Sequence, residues 1–152
     1  MKKNNFIIGT IFCIGLMTAG CDSSSEWENK SITSSTDYES TATLYISQDK
    51  SIMFGIQSPS DDCERWEDDS YSAGSLKFNG KMVKMTTQCV ESGLRLDYPT
   101  TDLGIKYIIN EFLTKAIVIV SYDEGEDEFS SNNFQENYNA IKLEALEEKK
   151  AI

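Results

Sequence analysis

The sequence predicts an α+β fold, an antiparallel β-meander of about five or six strands with two helices on one face. Three observations lead there. Between Thr43 and Tyr98, short runs of alternating apolar and polar residues are separated by turn formers, the period-two pattern of half-buried strands. Asn79-Gly80 sits between two such runs, a strong short-range mark of a hairpin. Helical periodicity comes late, after most of the strands, which argues against the alternating units of a doubly wound parallel sheet.

Residues 22–41 are polar, Ser/Thr-rich and without hydrophobic period, and read as a flexible tether ahead of a single globular domain over residues 42–152. Trp27 is the exception, suited to a membrane interface, a partner or the domain surface. Residues 43–47 and 52–56 are β-rich and joined by Gln48-Asp49-Lys50-Ser51, a hairpin in which Gly55 marks a bulge. Ser58-Pro59-Ser60 ends that strand. Residues 63–73 are acidic and irregular; they contain Trp66 and Tyr71 and close on Gly74. Leu76-Lys77-Phe78, Asn79-Gly80 and residues 81–85 form the clearest hairpin, because Asn-Gly populates the positive φ angles of a type I′ turn. Its second strand runs on toward Cys89. After a turn at Glu91-Ser92-Gly93, Leu94, Leu96 and Tyr98 alternate with Arg95 and Asp97, giving one buried and one wet face.

Thr100-Thr101-Asp102 supplies N-cap oxygens, and Ile105, Ile108, Ile109 and Phe112 then fall on one helical stripe. A strand over residues 105–113 is also compatible with their composition. Residues 116–120 are a β-branched run suited to a strand covered on both faces. Asp123, Glu124, Glu126, Asp127 and Glu128 make the densest charge run: a solvated turn, a face for a basic partner, or a calcium loop, although it lacks the EF-hand spacing. Asn132 or Asn133 can cap a last helix carrying Phe134, Tyr138, Ile141 and Ala145 on one stripe.

The chain has no histidine, which removes Ser-His-Asp and Cys-His catalysis and histidine-ligated zinc. We therefore expect no enzyme, no cofactor and no metal site. With 25 acidic and 14 basic residues the net charge is −11, which is repelled by nucleic-acid phosphates and favours association with a basic protein.

The N-terminus carries the most specific motif. Lys2 and Lys3 precede an uncharged run, residues 6–17, too short for a membrane span of about 20 residues and of the length of a signal-peptide core. Thr18-Ala19-Gly20-Cys21 follows, and it resembles the lipobox of bacterial lipoproteins. The resemblance implies a signal peptide over residues 1–20, cleavage before Cys21, lipidation of the Cys21 sulfur, and a mature N-terminus over residues 21–41 anchored to the bacterial cell membrane. The domain would then face the periplasm or the cell exterior. Loss of Lys2 and Lys3 leaves 12 basic against 25 acidic residues, a net charge of −13. Cys13 leaves with the signal, and once Cys21 is lipidated, Cys63 and Cys89 remain as an even pair in an oxidising compartment. A disulfide across 26 residues would contribute about 3.5 kcal/mol.

These features fit a lipoprotein that works by protein binding, as an immunity, inhibitor or exclusion factor, or else a structural or assembly subunit of an envelope machine. The contact candidates are Trp66, Tyr71, Asp123, Glu124, Glu126, Asp127 and Glu128. Trp66 and Tyr71 fit a core role equally well.

Overall fold

A computed structural model describes residues 26–36, 39–63 and 70–150; the signal segment, Cys21 and Trp66 lie outside the described residues. The architecture is α+β. Among the described residues one antiparallel sheet contains eight strands: β1 (Ser31–Thr33), β2 (Thr41–Ile46), β3 (Ile52–Pro59), β4 (Ser70–Phe78), β5 (Lys81–Glu91), β6 (Leu94–Pro99), β7 (Ile117–Ser121) and β8 (Glu126–Ser130). Helix α1 (Asp102–Thr114) connects β6 to β7, and α2 (Phe134–Lys150) follows β8. The spatial order is β1-β2-β3-β6-β5-β4-β7-β8, so the sheet is not the expected meander. The two strands beyond the expected six are β1 and β8, which form its edges. The sheet curls until those edges approach: the Ser35 N–H donates to the Glu128 carbonyl at 3.0 Å, and the Trp27 N–H to the Asn132 carbonyl at 2.9 Å. Charged side chains on β8 also discourage pairing with a foreign strand.

Local chemistry explains the elements. Asn79 and Gly80 take φ of 47° and 83°, closing the tight β4–β5 turn with Phe78 opposite Lys81. The Thr101 hydroxyl accepts from the Gly104 N–H at 3.1 Å, and Ile105, Ile108, Ile109 and Phe112 face the core, so residues 105–113 are helix rather than strand. Gly104 lowers helix propensity, yet a Cβ there would lie 2.9 Å from Val83 Cγ1; its absence lets α1 pack close to β5. Gly55 does not mark a bulge. The β2–β3 register is unbroken, and a Cβ at Gly55 would sit 2.5 Å from Leu96 Cδ1, so the glycine serves close packing. In β7 only Val118 and Val120 are fully buried while Ile117 is exposed, so that strand is not covered on both faces. Phe134, Ile141 and Ala145 bury the inner stripe of α2. Lys30–Glu144 and Lys50–Glu148 join α2 to the sheet at half-exposed positions, where such pairs are worth about 0–1 kcal/mol. Cys63 and Cys89 are bonded, tying a single 3-10 turn (Asp61–Cys63) onto β5.

The largest departure from expectation is at the N-terminus. Residues 26–36 are not tether: they include β1, and Trp27 is 1% exposed. Its ring meets Phe112 of α1 at 5.2 Å and Phe134 of α2 at 4.9 Å, both edge-to-face, while Phe112 and Phe134 stack at 4.9 Å. The indole N–H donates to the Ser130 carbonyl at 3.0 Å. Asn137 of α2 clips the same turn, donating to the Trp27 carbonyl and accepting from the Lys30 N–H. One side chain thus joins both helices to the end of β8.

Removing it should be severe. Trp27→Ala is expected to cost about 3–5 kcal/mol in urea unfolding, with loss of cooperativity between the helices and the sheet. An unchanged midpoint would return Trp27 to a tether.

Candidate functional site

Directly paired residues in a sheet point to the same face, so the register maps the inner surface row by row. One row runs Ala42, Ile56, Asp97, Thr87, and the next places Ser58, Arg95 and Cys89 together. Toward the helices this face is apolar: Phe54, Phe78, Val83, Met85, Val118 and Phe129 pack under α1 and α2. At the other end it turns polar. The β6 face carrying Arg95 and Asp97, expected to be wet, is therefore the inner one. Asp97 is 1% exposed; its Oδ2 lies 3.1 Å from Arg95 Nη2, and the Thr87 hydroxyl donates to its Oδ1. Arg95 is partly exposed, and its Nε is buried without a hydrogen-bond partner.

Asp127 anchors a second polar group. Thr36 Oγ1 and Ser34 Oγ donate to its Oδ1 at 2.5 and 2.9 Å, and the Tyr122 hydroxyl donates to its Oδ2 at 2.7 Å. Burial alone would raise the Asp127 pKa, but the hydroxyls of Thr36, Tyr122, Ser40 and Ser34 outweigh it and hold the carboxyl below its ordinary value. Burial, reinforced by Asp127, pushes the Tyr122 phenol far above its usual range. At neutral pH the pair is therefore carboxylate and neutral phenol. The carboxylate's lone pairs are engaged and the phenol keeps its proton, an arrangement suited to holding structure rather than to moving protons.

Between these two groups lies a cavity of about 590 Å³, bordered by Ser40, Ser58, Leu76, Arg95, Tyr122 and Asp127. It opens where β4 and β7 diverge, since they pair only at Lys77–Ser121 and Phe78–Val120. Lys77, Asp123 and Glu124 stand at the rim. The acidic run is not one solvated loop. Asp123 and Glu124 lie in an exposed turn closed by the Tyr122 N–H donating to the Gly125 carbonyl at 2.8 Å, and β8 begins at Glu126. Along β8 the period of two sends Glu126 and Glu128 outward and Asp127 inward, where it is fully buried. Asp127 is thus turned into the site, where it borders the cavity, and away from the solvent that its neighbours face. Glu126 accepts from the Ser121 hydroxyl at 2.8 Å across the hairpin. Tyr71 falls in β4 opposite Thr87, and Trp66 lies outside the described residues.

Sequence reasoning missed Arg95, Asp97, Tyr122, Ser34 and Thr36. An opposite-charge pair at i and i+2 on a strand is the signal that could have drawn attention to Arg95 and Asp97, since both then share a face. Among the described residues no group of three or more His, Cys, Asp or Glu side chains is placed to hold a metal ion, and no helix is long and apolar enough to cross a membrane. Comparison with protein-family models, with curated proteins and with solved structures finds no match to this chain.

Because the folded Asp127 carboxyl titrates below its unfolded value of about 3.9, its stabilisation is fully present above that value and is lost as pH falls through the folded pKa. Asp127→Asn is expected to lower stability at pH 7 by about 2 kcal/mol, through loss of charge-assisted hydrogen bonds. The gap from wild type should close on titration below pH ~4. A gap that stays constant down to pH 2 would contradict the ionised assignment. Separately, Arg95→Leu leaves the buried Asp97 charge without its cation and is expected to cost about 3–5 kcal/mol by urea unfolding at neutral pH.

Proposed function

We propose that the protein is a membrane-anchored envelope lipoprotein acting by protein binding, most simply as an immunity, inhibitor or exclusion factor, with the acidic β7–β8 hairpin beside the cavity as its contact face. The observation that carries this reading is how the hairpin is mounted. Asp123, Glu124, Glu126 and Glu128 are exposed on one hairpin, while Asp127 between them is pinned inward by four hydroxyls. A hairpin already ordered loses little entropy on binding, so its contacts convert efficiently into affinity. Four solvent-facing carboxylates attract a basic partner and accelerate encounter, and they disfavour nucleic acid as a ligand. A partner side chain entering the cavity would meet Arg95, Ser58 and Tyr122 as polar contacts. The lipobox-like Thr18-Ala19-Gly20-Cys21 supports a site of action at the bacterial cell membrane, with the domain in the periplasm or outside the cell.

The test is capture from an envelope extract by the lipid-anchored protein, against a variant carrying Asp123→Asn, Glu124→Gln, Glu126→Gln and Glu128→Gln. Wild type is expected to retain a basic protein whose association slows with added salt. The variant, folded as judged by its unfolding midpoint, should bind it about ten-fold more weakly, a difference of about 1.4 kcal/mol. Equal capture by both proteins would remove the acidic hairpin from the function.

A further inference from the structure

The entry point of the chain indicates which end of the domain meets the bilayer, given the lipid anchor at Cys21 on which this inference rests. Cys21 and Glu26 are five residues apart, at most about 18 Å of extended chain. A domain of this size is about 35 Å across. Trp27 is fixed immediately after that span, its N–H on the Asn132 carbonyl and its indole on the Ser130 carbonyl. An anchored Cys21 therefore holds the Ser130–Asn132 end within half a domain's width of the lipid, and the far end cannot reach it.

The surface at that end has the composition a bilayer would select. Ile117 pairs with Ser130, and the Ser131 N–H donates to the Ala116 carbonyl, so the last turn of α1 and the start of β7 lie beside the entry point. Residues 113–117, Leu-Thr-Lys-Ala-Ile, are all exposed, with Leu113 at 38% and Ile117 at 49%. In a strongly acidic chain this run carries no carboxylate, and Lys115 is its single charge. Glu26, the first acidic residue of the described chain, accepts a hydrogen bond from Asn133 at 3.0 Å. We infer that residues 113–117 seat on the lipid surface that carries this chain's own anchor. Leu113 and Ile117 enter the boundary between headgroups and acyl chains, and the Lys115 ammonium reaches the lipid phosphates.

This seating orients the rest of the molecule. β7 leads away from Ile117, and the turn holding Asp123 and Glu124 lies about 20 Å further along the hairpin. The Asp123–Glu124 end of the hairpin then faces away from the membrane, toward a partner arriving from the envelope space, while Glu128, paired with Ile119, lies nearer the seated end.

The test uses the full lipidated protein in vesicles of phosphatidylcholine and phosphatidylethanolamine, with an environment-sensitive fluorophore on Ile117→Cys or, as control, on Glu124→Cys. Cys63 and Cys89 are bonded and do not compete for the label. Flotation with the vesicles reports the anchor by itself. For protein that floats, the Ile117 probe is expected to shift blue and to be quenched several-fold more than the Glu124 probe by a lipid-borne quencher. Adding Leu113→Asp should abolish the difference without changing the unfolding midpoint. If the protein floats and both probes are quenched equally, or the Ile117 probe stays in water, the seating is wrong and the anchor survives. Protein that does not float overturns the anchor and the seating with it. A blue-shifted Ile117 probe in Cys21→Ser protein without vesicles would show that a protein neighbour covers this face, and would also overturn the proposal.

Discussion

Trp27 is the contact on which the rest of the structure depends. The sheet has an open edge at β8, and each helix meets the sheet along a single apolar stripe. The indole ring fills the space where Phe112, Phe134 and the end of β8 converge, and its N–H donates to the Ser130 carbonyl. Asn137 then uses both ends of its amide on the surrounding backbone, so the N-terminal segment is held by directional bonds as well as by burial. The geometry couples elements from both ends of the sequence. It also makes residues 26–36 part of the folded domain rather than a leash ahead of it.

The curled sheet is divided between two tasks along its inner face. Under the helices it is filled by buried aromatic and aliphatic side chains. Beyond them the same strands carry Asp97, Arg95, Thr87, Asp127 and Tyr122, whose charges and hydroxyls satisfy one another. Such networks are costly unless complete, and the near-complete pairing here keeps the mouth ordered. The unpartnered Arg95 Nε is the exception, and it belongs to a side chain bordering the cavity. An apolar half under the helices thus supports a polar half that borders the cavity.

Much of the fold was legible because local chemistry and global structure agree. Asn79-Gly80, the Thr101 cap, the stripe from Ile105 to Phe112 and the Cys63–Cys89 pair each act as the sequence indicates. The failures share a physical cause. β1 and β8 are edge strands, whose composition is set by solubility and surface charge rather than by burial, so a Ser/Thr-rich stretch and a carboxylate run concealed them. Without β1, Trp27 appeared to stand in a tether. Gly55 read as a bulge because a single chain cannot reveal that a neighbouring strand, through Leu96, occupies the space of its Cβ. The site was hidden by the same logic. Alternation on β6 assigned Arg95 and Asp97 to solvent because a charged face is normally wet, and only the curl of the sheet makes that face the inside. The acidic run was recognised as special, but not that its period of two separates Asp127 from its neighbours.

The most direct measurement is native-state amide hydrogen exchange at Trp27 in the folded protein. If the N-terminal segment is built into the core, the Trp27 amide bonded to Asn132 exchanges only through global unfolding, with the same protection as the Val118 amide in β7. Exchange at the rate of an unstructured peptide, while Val118 stays protected, would contradict the account, because the N-terminal segment would then not be joined to the core.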